Sequence, residues 1–379
     1  MRPFSFSYSK TMMPFFGVPI LEHLFQGIRA SGIFGKVLLT SKGRDNDILL
    51  HVGDGSALGL QIFYPPMKGW AGTAGAVRCL IDELPDSATS PIVVVYGDSL
   101  LQIDFSALVA FHLAKSASFT MACHSPRFDA FLFEGEGGTE LRTNFGVAEL
   151  DSGGKVLHFE EKPLLATIAE SFEHPTANAA VYVVDPEVLR SVPSPEGRLF
   201  DFAYHVIPWL VERGERVVGL NIAPGFRVDL GTLQHYLSMH MAVLRGEVQF
   251  KVPATAAATG LRNHADASIH PLARLITPVF VDCGARIESH AEIESSVIGE
   301  CAVVREGAVI RDSILLGHTV VGAGAMIERS ILGRHCSVAP ATLLPRGTVV
   351  GDWSVIGGDE LELSSEIVRG LLAWHEGIP

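Results

Sequence analysis

Pro91–Asp98 reads PIVVVYGD, a short continuous apolar run that ends in a glycine and a carboxylate. A run without alternation of apolar and polar residues is typical of a parallel strand buried on both faces. We therefore predict an α/β fold in which Asp98 follows the carboxyl end of a strand, the edge at which open α/β sheets bind ligands. An ordinary Gly-Asp turn from a strand into a loop would give the same pattern.

The length and charge of the chain limit its class. With 379 residues it is too long for one ordinary core, and two domains are expected. The net charge of -13 argues against a surface that binds nucleic acid or an anionic membrane. A substrate that carries phosphates would need local cationic groups or a divalent metal ion to offset this negative charge.

Cysteine usage and hydropathy indicate a cytoplasmic protein. The cysteines contain no C-x-x-C pair, as expected for free thiols in a reducing compartment. The chain has no apolar run of about eighteen residues, so we expect no membrane span. The N-terminus lacks a basic segment followed by an apolar core, so we expect no signal peptide.

Four short motifs are candidates for ligand binding. Gly53–Gly59 lacks the Lys-Ser/Thr ending of a phosphate loop and is interpreted as a turn. Gly69–Ala76 opens a helix whose unpaired N–H groups suit a ligand, although tight packing explains its glycines almost as well. Glu161 and Lys162 end a predicted strand and can bind hydroxyls and a phosphate together, or form a solvated surface pair. Asp229 stands where another strand gives way to a helix.

Seven motifs occur in an order that is typical of one family. They are Lys10 before Met13-Pro14, Gly72-Thr73-Ala74-Gly75, Gly97-Asp98, Phe145-Gly146-Val147, Glu161-Lys162-Pro163, Asn178 with Tyr182, and Val228-Asp229-Leu230-Gly231-Thr232. In this order they resemble the sugar-1-phosphate nucleotidyltransferases, or nucleotide-sugar pyrophosphorylases, most of all the mannose-1-phosphate guanylyltransferase branch. The resemblance covers roughly the first 240 residues and implies a Rossmann-like domain with a mixed central sheet.

The resemblance also implies a reaction and its phosphate-binding groups. A phosphate oxygen of a sugar 1-phosphate attacks the α-phosphorus of a nucleoside triphosphate in line, and pyrophosphate leaves. Asp98 and Asp229 would together hold Mg²⁺, a hard ion that prefers carboxylate and phosphate oxygens. Lys10 would neutralise phosphate charge, and Lys162 would hold the sugar phosphate.

The same resemblance implies contacts for the sugar and the nucleoside. Glu161, the Gly146 backbone and Asn178 would hydrogen-bond the sugar hydroxyls. Tyr182 would flank the sugar ring. The residues expected against the nucleoside are Gly72 and Thr73.

The second half of the chain is repetitive, with aliphatic residues six positions apart and occasional steps of five. These anchors are Val281, Ile287, Ile293, Ile298, Val304, Ile310, Leu316, Val321, Ile327, Leu332, Val338, Leu344, Val350 and Ile356. Such a period predicts a parallel β-helix in which each coil buries its anchors against the next coil. Resemblance to hexapeptide-repeat proteins implies the left-handed form.

A β-helix leaves acyl transfer as a rival function, because many hexapeptide-repeat proteins are acyltransferases with a catalytic histidine. His290, His318 and His335 lie in the repeats. We expect them at solvated corners, since no long acceptor-binding loop interrupts the repeat.

The predicted layout has four parts. Residues 1–245 form the nucleotidyltransferase domain, 246–270 a linker, 271–358 the β-helix and 359–379 a helical tail. Because family members use such C-terminal domains for oligomer contacts or regulation, we expect a homo-oligomer formed through the β-helix.

Two departures from the family stand out. Family members carry a first strand and a G-G-x-G-T-R-L loop before the position of Arg2-Pro3, so we expect Met1 to be an internal residue of a longer protein. If Met1 is the true start, the alternative is a catalytically inactive regulatory or scaffold homologue that binds nucleotide sugars. Ala180 stands where the family usually has glycine.

Overall fold

The computed structural model describes residues 2–4, 8–40, 46–65, 72–82, 90–125, 132–134, 141–195, 198–252, 255–256 and 261–357. The chain forms two compact units, one of His23–Val228 and one that joins Met1–Glu22 to Asp229–Pro379. These limits differ from the predicted domain limits, which remain predictions. The predicted helical tail 359–379 and position Met1 lie outside the described residues.

Two of the helices begin at a residue whose side chain caps them. The Asp104 side chain accepts a hydrogen bond from the Ala107 N–H (2.9 Å), and the Thr232 hydroxyl accepts one from the His235 N–H (3.1 Å). Each satisfies a donor at a helix start that has no partner within the helix. The α-helices are α1 (Ile20–Ser31), α2 (Asn46–Val52), α3 (Gly72–Asp82), α4 (Phe105–Ala114), α5 (Leu165–Ser171), α6 (Pro186–Ser191), α7 (Ile207–Glu212) and α8 (Leu233–Leu244).

Short strands alternate with these helices over the first part of the chain. They are β1 (Pro14–Phe15), β2 (Val18–Pro19), β3 (Val37–Leu38), β4 (Ile62–Phe63), β5 (Ile92–Val95), β6 (Ser99–Gln102), β7 (Phe119–His124), β8 (Leu132–Glu134), β9 (Leu141–Thr143), β10 (Gly146–Leu150), β11 (Val156–Glu161), β12 (Pro175–Val184), β13 (Val217–Asn221) and β14 (Phe226–Asp229).

The main sheet of the unit His23–Val228 is mixed, as predicted. Its order is β11-β10-β12-β7-β13, and β5 also pairs with β12. The pairing of β13 with β7 is parallel, whereas β12 pairs antiparallel with each of its neighbours. Strand β12 is buried from Ala177 to Val184, so the core of the unit lies around it.

The structure corrects one prediction about β5. This strand pairs antiparallel with β12, from Val95 opposite Val181 to Ile92 opposite Val184, and its residues are only half-buried. The prediction of a parallel strand buried on both faces is therefore wrong. The apolar run of β5 therefore does not indicate double burial, since its four residues are each only half-buried. Asp98 does follow the carboxyl end of this strand, as predicted.

One edge of β12 is shared by two partners. Strand β7 pairs with both halves of β12, so β10 and β5 must share the opposite edge. β10 pairs with residues 175–177 and β5 with residues 181–184, and a bulge lies between Asn178 and Tyr182. Ala180 in this bulge has a φ of 50°, a left-handed conformation that favours glycine and accounts for the glycine usual in the family.

The other unit contains a parallel β-helix, which confirms the predicted fold class. Its strands form three sheets, and Val303 pairs with Val320 and Val320 with Ser337, a step of 17 residues per coil. The strands are β15 (Thr255–Ala256), β16 (Leu261–Asn263), β17 (Ser268–Ile269), β18 (Arg274–Ile276), β19 (Val279–Val281), β20 (Arg286–Ile287), β21 (Glu292–Glu294), β22 (Val297–Ile298), β23 (Val303–Val304), β24 (Val309–Arg311), β25 (Ile314–Leu315), β26 (Val320–Val321), β27 (Met326–Glu328), β28 (Ile331–Leu332), β29 (Ser337–Val338), β30 (Val349–Val350) and β31 (Val355–Ile356).

The predicted anchors fill the interior of the β-helix, with one shift of register. Those from Val281 to Val350 are buried, and Ile356 is partly buried. In the coil for which Leu316 was predicted, the residue aligned with the anchors is Leu315, which pairs with Ile298 in one neighbouring coil and Leu332 in the other. Leu316 is buried as well, so hydrophobicity alone does not distinguish the two positions.

The first residues of the chain pack within the same unit as the β-helix. Strands β1 and β2 form an antiparallel pair, and the Tyr236 hydroxyl on α8 donates a hydrogen bond to the Pro14 carbonyl. The rings of Phe16 and Phe280 meet edge-on with their centroids 5.1 Å apart. These contacts join the first residues to α8 and to strand β19.

Two further predictions concern the whole chain. All five cysteines are free thiols, as predicted. Within the described residues, we find no helix with both the length and the apolar character needed to cross a membrane.

Buried serines connect successive coils of the β-helix. The Ser313 N–H donates to the Ser296 hydroxyl, and the Ser330 N–H donates to the Ser313 hydroxyl, each at 3.1 Å. The Ser313 hydroxyl in turn donates to the Arg311 carbonyl at 2.6 Å. Each hydroxyl therefore satisfies a buried donor in the next coil.

Replacing Ser313 with alanine tests this arrangement. Ser313→Ala removes the acceptor of the Ser330 N–H, and we expect it to lower the free energy of unfolding by about 1–3 kcal/mol. Denaturant unfolding measures the change. The control Ser289→Ala alters a half-exposed serine of the same β-helix and should stay within about 0.5 kcal/mol of the wild type. Equal effects of the two substitutions would contradict a special role for Ser313.

Candidate active site

Polar side chains converge where β12 changes partners. Gly146 begins β10 and lies opposite Glu161, the last residue of β11. Tyr96 directly follows β5, and Asn178 lies on β12 at the edge of the bulge. Four strand segments therefore contribute residues to one interval of the sheet edge, which we call the β12 interval (Tyr96, Gly146, Glu161 and Asn178).

Asn178 is fixed by its neighbours on β12. Its Nδ2 donates to the Tyr182 hydroxyl and its Oδ1 accepts from the Ala180 N–H, both at 2.9 Å. Tyr182 is fully buried, with its ring centroid 5.2 Å from that of Phe119 and 5.1 Å from that of Phe202. In this structure Tyr182 positions Asn178, and its predicted contact with the sugar ring remains a prediction.

The predicted nucleoside contacts lie at the start of α3. The Thr73 hydroxyl donates to Asp201 Oδ2 at 2.6 Å, and it accepts from the Phe202 N–H at 3.2 Å. A Cβ at Gly72 would collide with the Phe200 carbonyl oxygen, so this position requires glycine. Tight packing therefore explains Gly72, one of the two explanations that the sequence allowed. Its contact with a nucleoside remains a prediction.

Tyr96 and Asp201 connect the residues predicted to contact the sugar with those predicted to contact the nucleoside. Neither of them was assigned a role in the sequence analysis. Burial raises the pKa of Tyr96, and the negative charges of Asp201 and Glu161 raise it further. The Tyr96 hydroxyl interacts with the side chains of Thr73 and Tyr182. Tyr96 stands directly before Gly97-Asp98. Its position next to Asp98, a predicted Mg²⁺-binding residue, was the available signal. For Asp201 the signal was an acidic residue before an apolar helical run, which is typical of a helix cap.

Glu161 is the carboxyl of the β12 interval, and its pKa is raised. Burial raises its pKa to about 7, and the charge of Asp201 adds to the increase, while Lys162 and Arg227 oppose it. A carboxyl that titrates near neutrality can both donate and accept hydrogen bonds, which suits contact with hydroxyl groups.

Two cations lie near this carboxyl. Lys162 is exposed and directly follows Glu161, with a left-handed φ of 54° and its N–H donating to the Phe145 carbonyl at 3.2 Å. Arg227 on β14 is half-buried, and its Nε donates to the Ser99 hydroxyl at 3.0 Å. Sequence reasoning predicted Lys162 and missed Arg227, because an arginine inside a strand carries no motif of its own.

The remaining predicted residues are Lys10, Asp98 and Asp229. Lys10 Nζ donates to Asp229 Oδ1 at 2.7 Å, so these two predicted residues are brought together in the unit that contains the β-helix. Asp98 is half-buried in the unit His23–Val228, and its Oδ1 accepts from the Ser99 hydroxyl at 3.5 Å. The oxygen donors of both aspartates fit the preference of Mg²⁺, and their joint binding of one ion remains a prediction.

The fold and the site together define a class. In the α/β unit, a carboxyl whose pKa lies near neutrality, an amide and two cations lie in or beside the β12 interval. The same chain also contains a parallel β-helix. The chain belongs to the nucleotidyl transferase family, whose family model, described as "Nucleotidyl transferase", matches residues 1–246. A second family model, described as "GMPPB C-terminal domain", matches residues 275–371.

Characterised relatives act on several sugar 1-phosphates. A UTP--glucose-1-phosphate uridylyltransferase of Synechocystis is 26% identical over 93% of this chain and 89% of its own length. A mannose-1-phosphate guanylyltransferase of Mycobacterium tuberculosis is 28% identical over 79% of this chain and 76% of its own length. A glucose-1-phosphate thymidylyltransferase of Streptomyces griseus is 26% identical over 93% of this chain and 95% of its own length. The relatives therefore share the class of reaction and differ in base and sugar.

The raised pKa of Glu161 predicts how stability depends on pH. As the pH rises from about 4.5 to about 7, the unfolded carboxyl ionises while the folded one stays protonated, so the stability of the fold decreases. Relative to Glu161→Gln, the wild type should lose up to about 3 kcal/mol across this range. Urea unfolding of both proteins at several pH values measures the difference. Glu160→Gln, the neighbouring control, should follow the wild type, and a constant difference between wild type and Glu161→Gln would contradict the prediction.

Proposed function

We propose that this chain catalyses Mg²⁺-dependent nucleotidyl transfer from a nucleoside triphosphate to a sugar 1-phosphate. The products are a nucleoside diphosphate sugar and pyrophosphate. The observation that carries the proposal is the β12 interval, where the Glu161 carboxyl lies near the cations Lys162 and Arg227. The match to the GMPPB C-terminal domain and the guanylyltransferase relative favour GTP and mannose 1-phosphate, giving GDP-mannose.

The sugar is held by hydrogen bonds in the β12 interval. The Glu161 carboxyl, the Asn178 amide and the Gly146 backbone offer donors and acceptors to the sugar hydroxyls. Because Glu161 is half-buried, a sugar that lacks the matching hydroxyl would leave its carboxyl with an unmet hydrogen bond. Such an unmet hydrogen bond rejects the wrong substrate more strongly than a loose apolar pocket does.

The phosphates are attracted by local cations within an acidic protein. Lys162 and Arg227 lie beside the proposed sugar site, so the phosphate at C1 of the sugar would approach them. Lys10 supplies a further ammonium group and is oriented by its ion pair with Asp229. These local cations offset the net charge of -13, which would otherwise repel both substrates.

Asp98 and Asp229 would hold Mg²⁺ through their carboxylate oxygens. The ion, when bound, neutralises charge on the phosphates. The remaining contribution of the protein is positional: Lys162 orients the attacking phosphate, and Thr73 and Gly72 lie at the proposed nucleoside site. In-line phosphoryl transfer needs alignment and charge stabilisation more than covalent participation of a side chain.

Three further features belong to the proposal. The protein acts in the cytoplasm, where its free cysteines stay reduced. It forms a homo-oligomer through the β-helix. Its partners are the two small substrates, with no nucleic acid and no membrane among them.

Pyrophosphate release tests the proposed reaction. The purified chain is assayed with each common nucleoside triphosphate and with mannose 1-phosphate or glucose 1-phosphate, and we expect GTP with mannose 1-phosphate to be fastest. Chelation of Mg²⁺ should stop turnover. Asp98→Asn should lose the Mg²⁺-dependent rate and keep its circular dichroism spectrum, whereas Asp185→Asn, which alters the acid beside His112, should keep the rate. Binding of nucleotide sugars without any pyrophosphate release would instead support the inactive regulatory homologue.

Gly146 offers a test of the sugar site that leaves the metal site alone. A Cβ at Gly146 would lie 2.5 Å from Phe159 Cζ and 2.6 Å from Glu161 Oε2, so Gly146→Ala must displace the carboxyl. We expect the KM for the sugar 1-phosphate to rise by about tenfold or more, with a smaller change in the KM for the triphosphate. The control Gly35→Ala adds a Cβ with no neighbour within 4 Å and should leave both constants unchanged. Equal increases in both KM values would contradict sugar binding at Glu161.

A further inference from the structure

One corner of the β-helix forms a column of aligned residues. Its members have a left-handed backbone, and the N–H of each one above the first donates to a carbonyl of the preceding coil at 2.7–3.1 Å. We call this the corner column, and it consists of Gly284, Cys301, His318, His335 and Trp353.

Three side chains at this corner have the arrangement of a metal site. Atoms of Glu300, Cys301 and His318 that can bind a metal all lie within 4.8 Å of one another. Among the described residues, this is the group of three or more histidine, cysteine and acidic side chains that meets that distance. Glu300 and His318 are exposed and Cys301 is at least half-exposed, so an ion can reach them from solvent.

Hydrogen bonds fix the backbone of these residues, and stacking fixes the His318 ring, before any ion binds. The His318 N–H donates to the Glu300 carbonyl at 2.7 Å, and the Cys301 N–H donates to the Cys283 carbonyl at 2.8 Å. The His318 ring stacks on His335, with centroids 4.7 Å apart and planes 3° from parallel. The imidazole of His318 is therefore largely oriented before binding, and the Glu300 and Cys301 side chains extend from a fixed backbone.

The neighbouring members of the corner column, Gly284 and His335, also fit this arrangement. Gly284 lies directly next to the Cys301 thiol, since a Cβ at Gly284 would be 2.8 Å from the Cys301 sulfur. On the other side, the His335 ring stacks on Trp353 with centroids 3.8 Å apart. The glycine gives the thiol its space, and the aromatic stack fixes the plane of the imidazole.

We propose that Glu300, Cys301 and His318 bind Zn²⁺ at the corner column of the β-helix. A thiolate, an imidazole and a carboxylate are the ligand types that Zn²⁺ takes, and a water would complete its tetrahedral coordination. Mg²⁺ prefers oxygen ligands only, so this site is chemically different from the proposed Asp98 and Asp229 site. Because Cys301 and His318 belong to successive coils, the ion would link the two coils.

Calorimetric titration of the full chain with Zn²⁺ tests the proposal. The protein is first freed of metal, kept reduced, and held in excess Mg²⁺ so that oxygen-only sites are occupied. We expect one Zn²⁺ per chain, and Cys301→Ser and His318→Ala should each weaken binding by more than about tenfold. Cys79→Ser and His290→Ala are the matched controls, since Cys79 is a half-exposed thiol of the other unit and His290 is an exposed left-handed corner histidine, and both should bind like the wild type.

Co²⁺ provides an independent signature of the same ligands. The wild type loaded with Co²⁺ should show a thiolate-to-cobalt charge-transfer band that disappears in Cys301→Ser. Melting curves without metal show whether each variant keeps its fold, and only folded variants are compared. Zn²⁺ binding that is equally tight in Cys301→Ser, His318→Ala and the wild type, or a Co²⁺ spectrum without the charge-transfer band, would overturn the proposal.

Discussion

The candidate active site depends on how strand β12 distributes its hydrogen bonds. One of its edges is covered throughout by β7, while the other is divided between β10 and β5. Among the residues that the structure describes, no strand pairs with that edge between the two partners, and there the chain bulges through the left-handed Ala180. Since every buried backbone group needs a partner, such an interruption inside a core strand is tolerated where side chains take over. Asn178 does this by accepting a hydrogen bond from the Ala180 N–H, which fixes the orientation of its amide.

The electrostatics of the site require a compromise between stability and binding. The Glu161 carboxyl is largely buried beside Phe159 and Gly146, and Asp201 adds a second negative charge near it. Lys162 and Arg227 offset this only in part, so the carboxyl keeps its proton to a higher pH than an exposed glutamate would. A buried acid weakens the folded state at neutral pH, and proteins retain such groups mostly where a ligand uses them. Hydroxyl groups of a sugar are ligands of that kind, since they accept a hydrogen bond from the protonated carboxyl and donate one to the carboxylate.

Periodic features were predictable from the sequence, and features that depend on distant contacts were not. The β-helix follows from the spacing of its anchors, and only the choice between Leu315 and Leu316 required the strand pairing. The apolar run of β5 suggested double burial, but hydrophobicity cannot show how completely the rest of the fold covers the two faces of a strand. Glu161 and Asn178 were found through family motifs, whereas Asp201 reaches the site through its hydrogen bond with Thr73, 128 positions earlier in the chain. No local pattern encodes such a contact.

The regular step of the central coils limits how the length of the β-helix can change. Pairing advances by 17 residues in the central coils, as from Val303 to Val320 to Ser337, and the serine bonds from Ser296 to Ser313 and Ser330 keep the same step. A deletion of only part of a coil within this region would shift the register and place polar residues where the next coil needs an aliphatic anchor. Removal or duplication of one whole coil would preserve every pairing beyond it. The β-helix is thus modular: it can be shortened or lengthened in units of a coil, which offers a route to variants of different size with the same α/β unit.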